Sequence, residues 1–267
     1  MSAPLFVVGL GPGHVCLLAP EASAALDRAR VLVGYKGYIE RIPETWRAGR
    51  RVIATGMTGE IARAKAAIDA ALAGEPTALV CSGDPGVYAL SGLVLEIMEQ
   101  QGLCATDLPL HIVPGIPAVC AAAALLGAPL MHDFACVSLS DLLTPWPLIL
   151  KRLESAFMGD FVLALYNPRS KRRTQQLEQA LALALQYKSP CTPVGVVKNA
   201  YRPGQEVWIS PLGELRPDSV DMFTILIMGN SASRIVPGRG EAPLAWESGA
   251  RMLTPRGYQE KYGARLT

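Results

Sequence analysis

Leu5-Phe6-Val7-Val8-Gly9-Leu10-Gly11-Pro12-Gly13 opens the chain with an apolar run that stops on three closely spaced glycines. A short run that is apolar on both faces and bounded by turn residues reads as a strand of a parallel sheet, buried on both sides. Similar runs recur at 31–33, 52–53, 77–81 and 110–113. The segments between them read as helices: 20–29, 58–73 (apolar at 61, 64, 68, 71 and 72, close to a 3.6-residue period), 87–101 and 117–126. Strand and helix in alternation predict an α/β layer fold with a mostly parallel sheet.

Farther out the pattern changes. Strands are expected at 135–139, 161–166, 194–198, 207–210 and 223–228, with helices at 147–156 and 174–186. The short connections between 194 and 228 favour antiparallel pairing there, hence a mixed sheet. A boundary near 128–133 divides the chain into an N-terminal α/β domain, 1–130, and a C-terminal α/β domain, 131–267. After Gly229, where Pro, Gly and Arg accumulate, the sequence predicts an irregular tail.

Bulk properties exclude several classes. Of 267 residues, 50% are hydrophobic and 18% charged, which supports a large core and argues against disorder. A formal net charge of +2 lacks the basic excess of a nucleic-acid binder. The longest apolar tract, 116–131, is about 16 residues with prolines and a glycine inside it, short of a membrane span of roughly 20. With no secretory signal in view, six cysteines without C-x-x-C spacing read as free thiols of a cytoplasmic protein. His14, His111 and His132 are too scattered to predict a metal site, and none is expected.

Three turns stand at the ends of predicted strands: Gly9-Leu10-Gly11-Pro12-Gly13, Ser82-Gly83-Asp84-Pro85-Gly86 and Pro114-Gly115-Ile116-Pro117-Ala118. Ligands of open parallel sheets bind at such ends, so the three together predict one crevice. The first is not a dinucleotide fingerprint, because His14 stands where G-x-G-x-x-G needs glycine. A nicotinamide-dependent oxidoreductase is therefore the weaker alternative. Asp84 reads either as a ligand acceptor or as the cap of a helix beginning near Val87.

These motifs, in this order, resemble the tetrapyrrole (corrin and siroheme) methyltransferase family over essentially the whole chain. Val33-Gly34-Tyr35-Lys36, His132-Asp133-Phe134, Ser138 to Trp146, Ala164 to Ser170 and Leu253 to Tyr258 look like the branch that methylates carbon 17 of the macrocycle. Methylation at another ring position is the nearest alternative. The resemblance implies two α/β domains with a cofactor cleft between them, S-adenosylmethionine as cofactor, and a homodimer. It implies a tetrapyrrole substrate, precorrin-3B or its cobalt-containing relative cobalt-factor III, and ring contraction alongside methyl transfer.

Carried over by resemblance, the cofactor residues are Leu10, Gly83, Asp84, Val87, Tyr88, Ile116, Pro117, Ala118, Tyr166, Asn167, Asn199, Ala200 and Thr224. For proton handling the candidates are His132, Asp133, Asp141, Tyr35 and Lys36. Tyr35, Lys36, Arg169 and Lys171 are the expected contacts to a substrate that carries several carboxylates. The tryptophans at 146, 208 and 246 are expected as core or interface anchors.

Overall fold

The computed structural model describes residues 2–238 and 249–263. Two compact units make up the chain, Met1–Ala118 and Val119–Thr267.

In the first unit, β1 (Leu5–Gly9), β2 (Val31–Tyr35), β3 (Arg51–Thr55), β4 (Thr77–Cys81) and β5 (Leu110–Val113) form a sheet in the order β3-β2-β4-β1-β5. Every pairing in it is parallel. α1 (Pro20–Arg28), α4 (Glu60–Leu72) and α5 (Ser91–Gln100) are the principal helices, with short turns α2 (Lys36–Ile39) and α3 (Glu44–Arg47). Alternate residues of one strand feed opposite cores. Leu5 and Val7 join Ile68, Val94 and Leu108, whereas Phe6 and Val8 join Leu26, Ile39 and Ile42. That is why the run at 5–9 is apolar without alternation.

In the second unit, β7 (Phe134–Ser138), β8 (Val162–Tyr166), β9 (Pro193–Lys198), β10 (Glu206–Pro211) and β11 (Thr224–Met228) form a sheet in the order β10-β9-β11-β8-β7. β7 and β8 are parallel, and the other pairings are antiparallel, so the sheet is mixed. α7 (Trp146–Met158) and α8 (Gln175–Ala184) cover the face that presents Leu163, Leu165, Val194, Val196 and Leu226. Trp146 and Trp208 pack against this core, and Trp146 donates its indole N–H to Gln179 at 2.6 Å. Trp246 lies outside the described residues.

Three expectations need correction. The segment after Gly229 is not uniformly irregular: β12 (Arg234–Val236) and β13 (Arg251–Leu253) pair, and α9 (Tyr258–Tyr262) follows. β13 also adds to β6 (Gly127–Ala128), a pairing between distant segments that no local pattern announces. α6 (Ala118–Leu126) and β6 therefore group with the second unit, and the division falls at residue 118 where the sequence placed it near 130. Leu126 fixes that grouping by filling the space over Gly195 that a side chain would occupy. Finally, the buried face of α4 is Arg63, Ala64, Ala67, Ile68, Ala70 and Ala71, while Ile61 and Leu72 are exposed.

Among the described residues no helix is long and apolar enough to cross a membrane, and no group of His, Cys, Asp or Glu could hold a metal ion. All six cysteines are free.

Candidate active site

Parallel order puts the carboxyl ends of β4, β1 and β5 side by side, and the three glycine turns leave from those ends. Backbone ties them together. Gly11 N–H donates to the Gly83 carbonyl at 3.1 Å, Gly83 N–H returns a bond to Gly11 at 2.8 Å, and Leu10 N–H reaches the Cys81 carbonyl at 2.8 Å. Gly11 and Gly83 adopt φ of +66° and +69°, which glycine accepts without strain. The approach is too close for side chains. A Cβ on Gly9 would lie 2.7 Å from Gly115 N and from the Gly83 carbonyl oxygen.

Asp84 completes the tie. One carboxylate oxygen accepts from Gly86 N–H at 2.8 Å, the other from Gly115 N–H at 3.1 Å. The helix-cap reading fails, because α5 starts only at Ser91 and its cap is Leu90. Asp84 instead spans from the β4 turn to the β5 turn.

Around this knot, Leu10, Val87, Ile116, Pro117 and Ala118 are half-buried and Tyr88 is exposed at φ +51°. None of the three turns carries Lys or Arg. Together these features present an apolar surface with one carboxylate and many backbone groups. That set suits an adenosyl group joined to a sulfonium and does not suit a pyrophosphate. A dinucleotide reading fits the geometry poorly too, since α1 begins only at Pro20 and only a single 3-10 turn, Val15–Leu17, follows the first glycine turn. Cys81 beneath the turns is no nucleophile, as burial pushes its thiol up to about 11.

In the second unit the strand-end residues are held differently. Tyr166 accepts Val119 N–H at 3.0 Å on its phenol oxygen. Asn167, at φ +50°, donates to Ser138 Oγ at 3.0 Å, and its carbonyl accepts from Arg173. Asn199, at φ +49°, donates to the Gly204 carbonyl at 3.2 Å, and Ala200 beside it is half-buried. Thr224 is buried, and its hydroxyl donates to Asp221 at 3.0 Å. Asp221 also meets Lys198 at 3.2 Å. Burial opposes ionisation of Asp221, yet hydrogen bonds from Phe223 and Thr224 and the Lys198 charge prevail and hold its carboxyl below the usual range.

The acid–base candidates do not assemble. His132 and Asp133 form a local turn, with Asp133 N–H donating to His132 Nδ1 at 2.8 Å, and both are exposed. They stand before β7, whereas Asp141 stands beyond its other end and accepts from Gln176 at 2.8 Å. Asp141 thus shares the strand ends of Tyr166 and Asn167, and His132 does not. Lys36 is exposed, 3.9 Å from Glu40, and Tyr35 packs edge-on to Tyr38. Of the expected substrate cations in the second unit, Arg169 is paired with Asp218 at 2.5 Å and Lys171 is exposed. Sequence reasoning missed Ser138, Asp221 and Arg63. The last stands at 63 in the 63, 67, 70, 71 spacing of a buried face, a position that hydrophobicity alone skips.

Loops at parallel strand ends, tied backbone to backbone around an apolar, carboxylate-bearing surface, define an α/β protein built to hold a nucleoside-bearing cofactor. Residues 4–216 match the family described as Tetrapyrrole (Corrin/Porphyrin) Methylases, and the chain belongs to that family. It is 45% identical over 254 residues to a Salmonella typhimurium protein named probable cobalt-factor III C(17)-methyltransferase, covering 95% of this chain and 99% of that one. It is 38% identical over 258 residues to a Sinorhizobium protein named precorrin-3B C(17)-methyltransferase, covering 97% and 98%. The crystal structure of the methyltransferase CobJ superimposes with a TM-score of 0.84 at 36% identity, covering 95% of this chain and 100% of that one.

Proposed function

We propose that this chain is an S-adenosylmethionine-dependent methyltransferase that acts at carbon 17 of precorrin-3B or cobalt-factor III, with contraction of the ring. The observation that carries the reading is the knot of three strand-end turns, which forms one apolar, carboxylate-bearing surface out of distant segments. Relatives named for carbon-17 methylation, similar over nearly their whole length, support the ring position.

When bound, S-adenosylmethionine supplies a methyl group already activated on a sulfonium. The protein's work is then to orient two reactants and exclude water, which asks for no protein nucleophile. Leu10, Gly83, Val87, Tyr88, Ile116, Pro117 and Ala118 hold the cofactor. Asp84 fixes the turns and places negative charge near the sulfonium. Tyr166, Asn167, Asn199, Ala200 and Thr224 contribute the remaining contacts. Tyr35, Lys36, Arg169 and Lys171 meet the carboxylates of the macrocycle, with Arg169 exchanging Asp218 for substrate. Asp141 is the preferred proton acceptor over His132 and Lys36, because it stands at the strand ends. The enzyme works in the cytoplasm as a homodimer.

The test is incubation with methyl-labelled S-adenosylmethionine and either precorrin-3B or cobalt-factor III, followed by mass and NMR analysis. One label on carbon 17 supports the reading and identifies the productive substrate. Transfer to another carbon, or no cofactor binding at all, overturns it.

A further inference from the structure

α4 buries a charge where its spacing calls for core. Arg63 is 3% exposed and shares its face with Ala64, Ala67, Ile68, Ala70 and Ala71. Its guanidinium is poorly satisfied. Nη2 lies 3.4 Å from the Gly56 carbonyl and 3.9 Å from Glu60, whose side chain is half exposed. Among the described residues Nε is buried with no hydrogen-bond partner, and so is the hydroxyl of Thr55, the last residue of β3. The ring of Tyr35, the last residue of β2, lies 6.0 Å from the guanidinium carbon. Cys81, the last residue of β4, feels the Arg63 charge, which pulls its thiol down against the larger effect of burial.

These neighbours fix the location. The guanidinium lies at the carboxyl ends of β3, β2 and β4, and the row of strand ends continues from there through β1 and β5. A buried cation whose carboxylate neighbour among the described residues is distant and half solvated is desolvated without repayment by an ion pair. A short, forked contact to a carboxylate is the strongest way to complete a guanidinium, and the described residues give Arg63 none. Two donors, Arg63 Nε and the hydroxyl of Thr55 at the end of β3, are left over among the described residues. Their common complement is a carboxylate.

We propose that Arg63, with Thr55 beside it and Tyr35 across its face, receives a carboxylate of a bound ligand at the ends of β2 and β3. The proposal rests on the methyltransferase reading for its choice of ligands. Two ligands supply that chemistry: an acidic side chain of the tetrapyrrole and the amino-acid end of the cofactor.

Equilibrium titrations separate them. Wild-type protein, Arg63→Gln, Arg63→Lys and Thr55→Val are each titrated with cobalt-factor III and precorrin-3B, and separately with S-adenosylhomocysteine, which retains the amino-acid carboxylate. Arg63→Gln should weaken one ligand about tenfold or more, the scale of a charged hydrogen bond, and leave the other within about twofold. Arg63→Lys should recover part of the loss, since a point charge replaces a fork. Loss confined to the tetrapyrrole assigns Arg63 to substrate, and loss confined to S-adenosylhomocysteine assigns it to the cofactor. Unchanged affinity for both overturns the proposal, and so does equal weakening of both together with a lowered melting temperature. Wild-type protein that binds S-adenosylhomocysteine but neither tetrapyrrole overturns the carbon-17 reading, and the S-adenosylhomocysteine titration then decides Arg63 alone.

Discussion

The two units solve one problem, holding loops at the ends of strands, by opposite means. In the first, backbone meets backbone: Gly9, Gly83 and Gly115 touch without side chains, and the Asp84 carboxylate is spent on main-chain N–H groups. In the second, Asn167, Asn199 and Tyr201 carry positive φ without glycine, and side-chain bonds hold the loops in place. Glycine contact leaves no room for adjustment. Side-chain ties can be cut one at a time. The difference predicts a brittle first unit and a tolerant second one, and graded substitutions should expose it.

Gly115→Ala should have the largest effect. The new Cβ would overlap the Gly83 carbonyl oxygen and lie 2.8 Å from the Gly9 carbonyl oxygen, all of it backbone. A destabilisation of about 3 kcal/mol or more is expected, with loss of S-adenosylhomocysteine binding. In Gly195→Ala of the second unit, the nearest atoms the new Cβ meets belong to the Leu126 side chain rather than to backbone, so a side chain and not the main chain has to shift. About 1–2 kcal/mol is expected there. Chemical denaturation of both variants measures the gap, and equal losses would break the comparison.

Asp160→Asn probes a side-chain tie of the second unit that carries charge. Lys188 is buried, and Asp160 lies 3.3 Å from its ammonium while accepting two bonds from Ser231. Asparagine tolerates the φ of +51° at this position, so the substitution isolates the charge. Removing the charge opposite buried Lys188 should cost about 2 kcal/mol, less than for a fully buried pair, because the Asp160 side chain is 45% exposed and the Phe161 carbonyl still accepts from Lys188. Burial opposes ionisation of Asp160, but the Ser231 bonds and Lys188 outweigh it and hold its carboxyl below the usual range. Its contribution is thus complete above the ordinary carboxylate range of about 4 and lost as pH falls through the lower folded value. Acid unfolding curves should therefore converge for the two proteins at low pH and separate above about pH 4.

Legibility in the sequence follows the same divide. Buried parallel strands are apolar on both faces, so 5–9 and 77–81 stood out, and the glycine turns after them marked the carboxyl ends of the sheet. The mixed pairing of β9, β10 and β11 was legible from short connections. What stayed hidden depends on distant partners. β13 is three residues long and exists because β6 and β12 flank it, and α6 joins the second unit through Leu126. Arg63 was hidden because a hydrophobic pattern has no symbol for a buried charge. Asp84 is legible as part of a strand-end turn, but its partner Gly115 lies on another turn, out of reach of any local motif.

Asp84→Asn asks how much of the first unit's rigidity depends on one carboxylate. The amide keeps one acceptor and turns the other into a donor that faces either Gly86 N–H or Gly115 N–H. One hydrogen bond is lost and one backbone donor is left facing another donor. About 1–3 kcal/mol of stability should go, and S-adenosylhomocysteine should bind roughly tenfold more weakly. Calorimetry on the folded variant checks both. Unchanged affinity would mean that the glycine contacts alone set the turns.

The smallest effect is expected at Asn199, where the second unit's tolerance can be measured directly. Its φ of +49° is mildly unfavourable for any side chain, and its amide repays this by donating to the Gly204 carbonyl at 3.2 Å. Asn199→Gly removes the bond and the strain together, so the two nearly cancel, leaving a change within about 0.5 kcal/mol. Asn199→Ala removes the bond and keeps a Cβ at positive φ, so about 1–2 kcal/mol should be lost. The sign of the difference between these variants is the informative quantity. If alanine is tolerated as well as glycine, the turn does not need its left-handed residue, and the second unit relaxes by moving backbone. If glycine costs as much as alanine, the side-chain bond carries the whole turn, and the second unit is as brittle as the first.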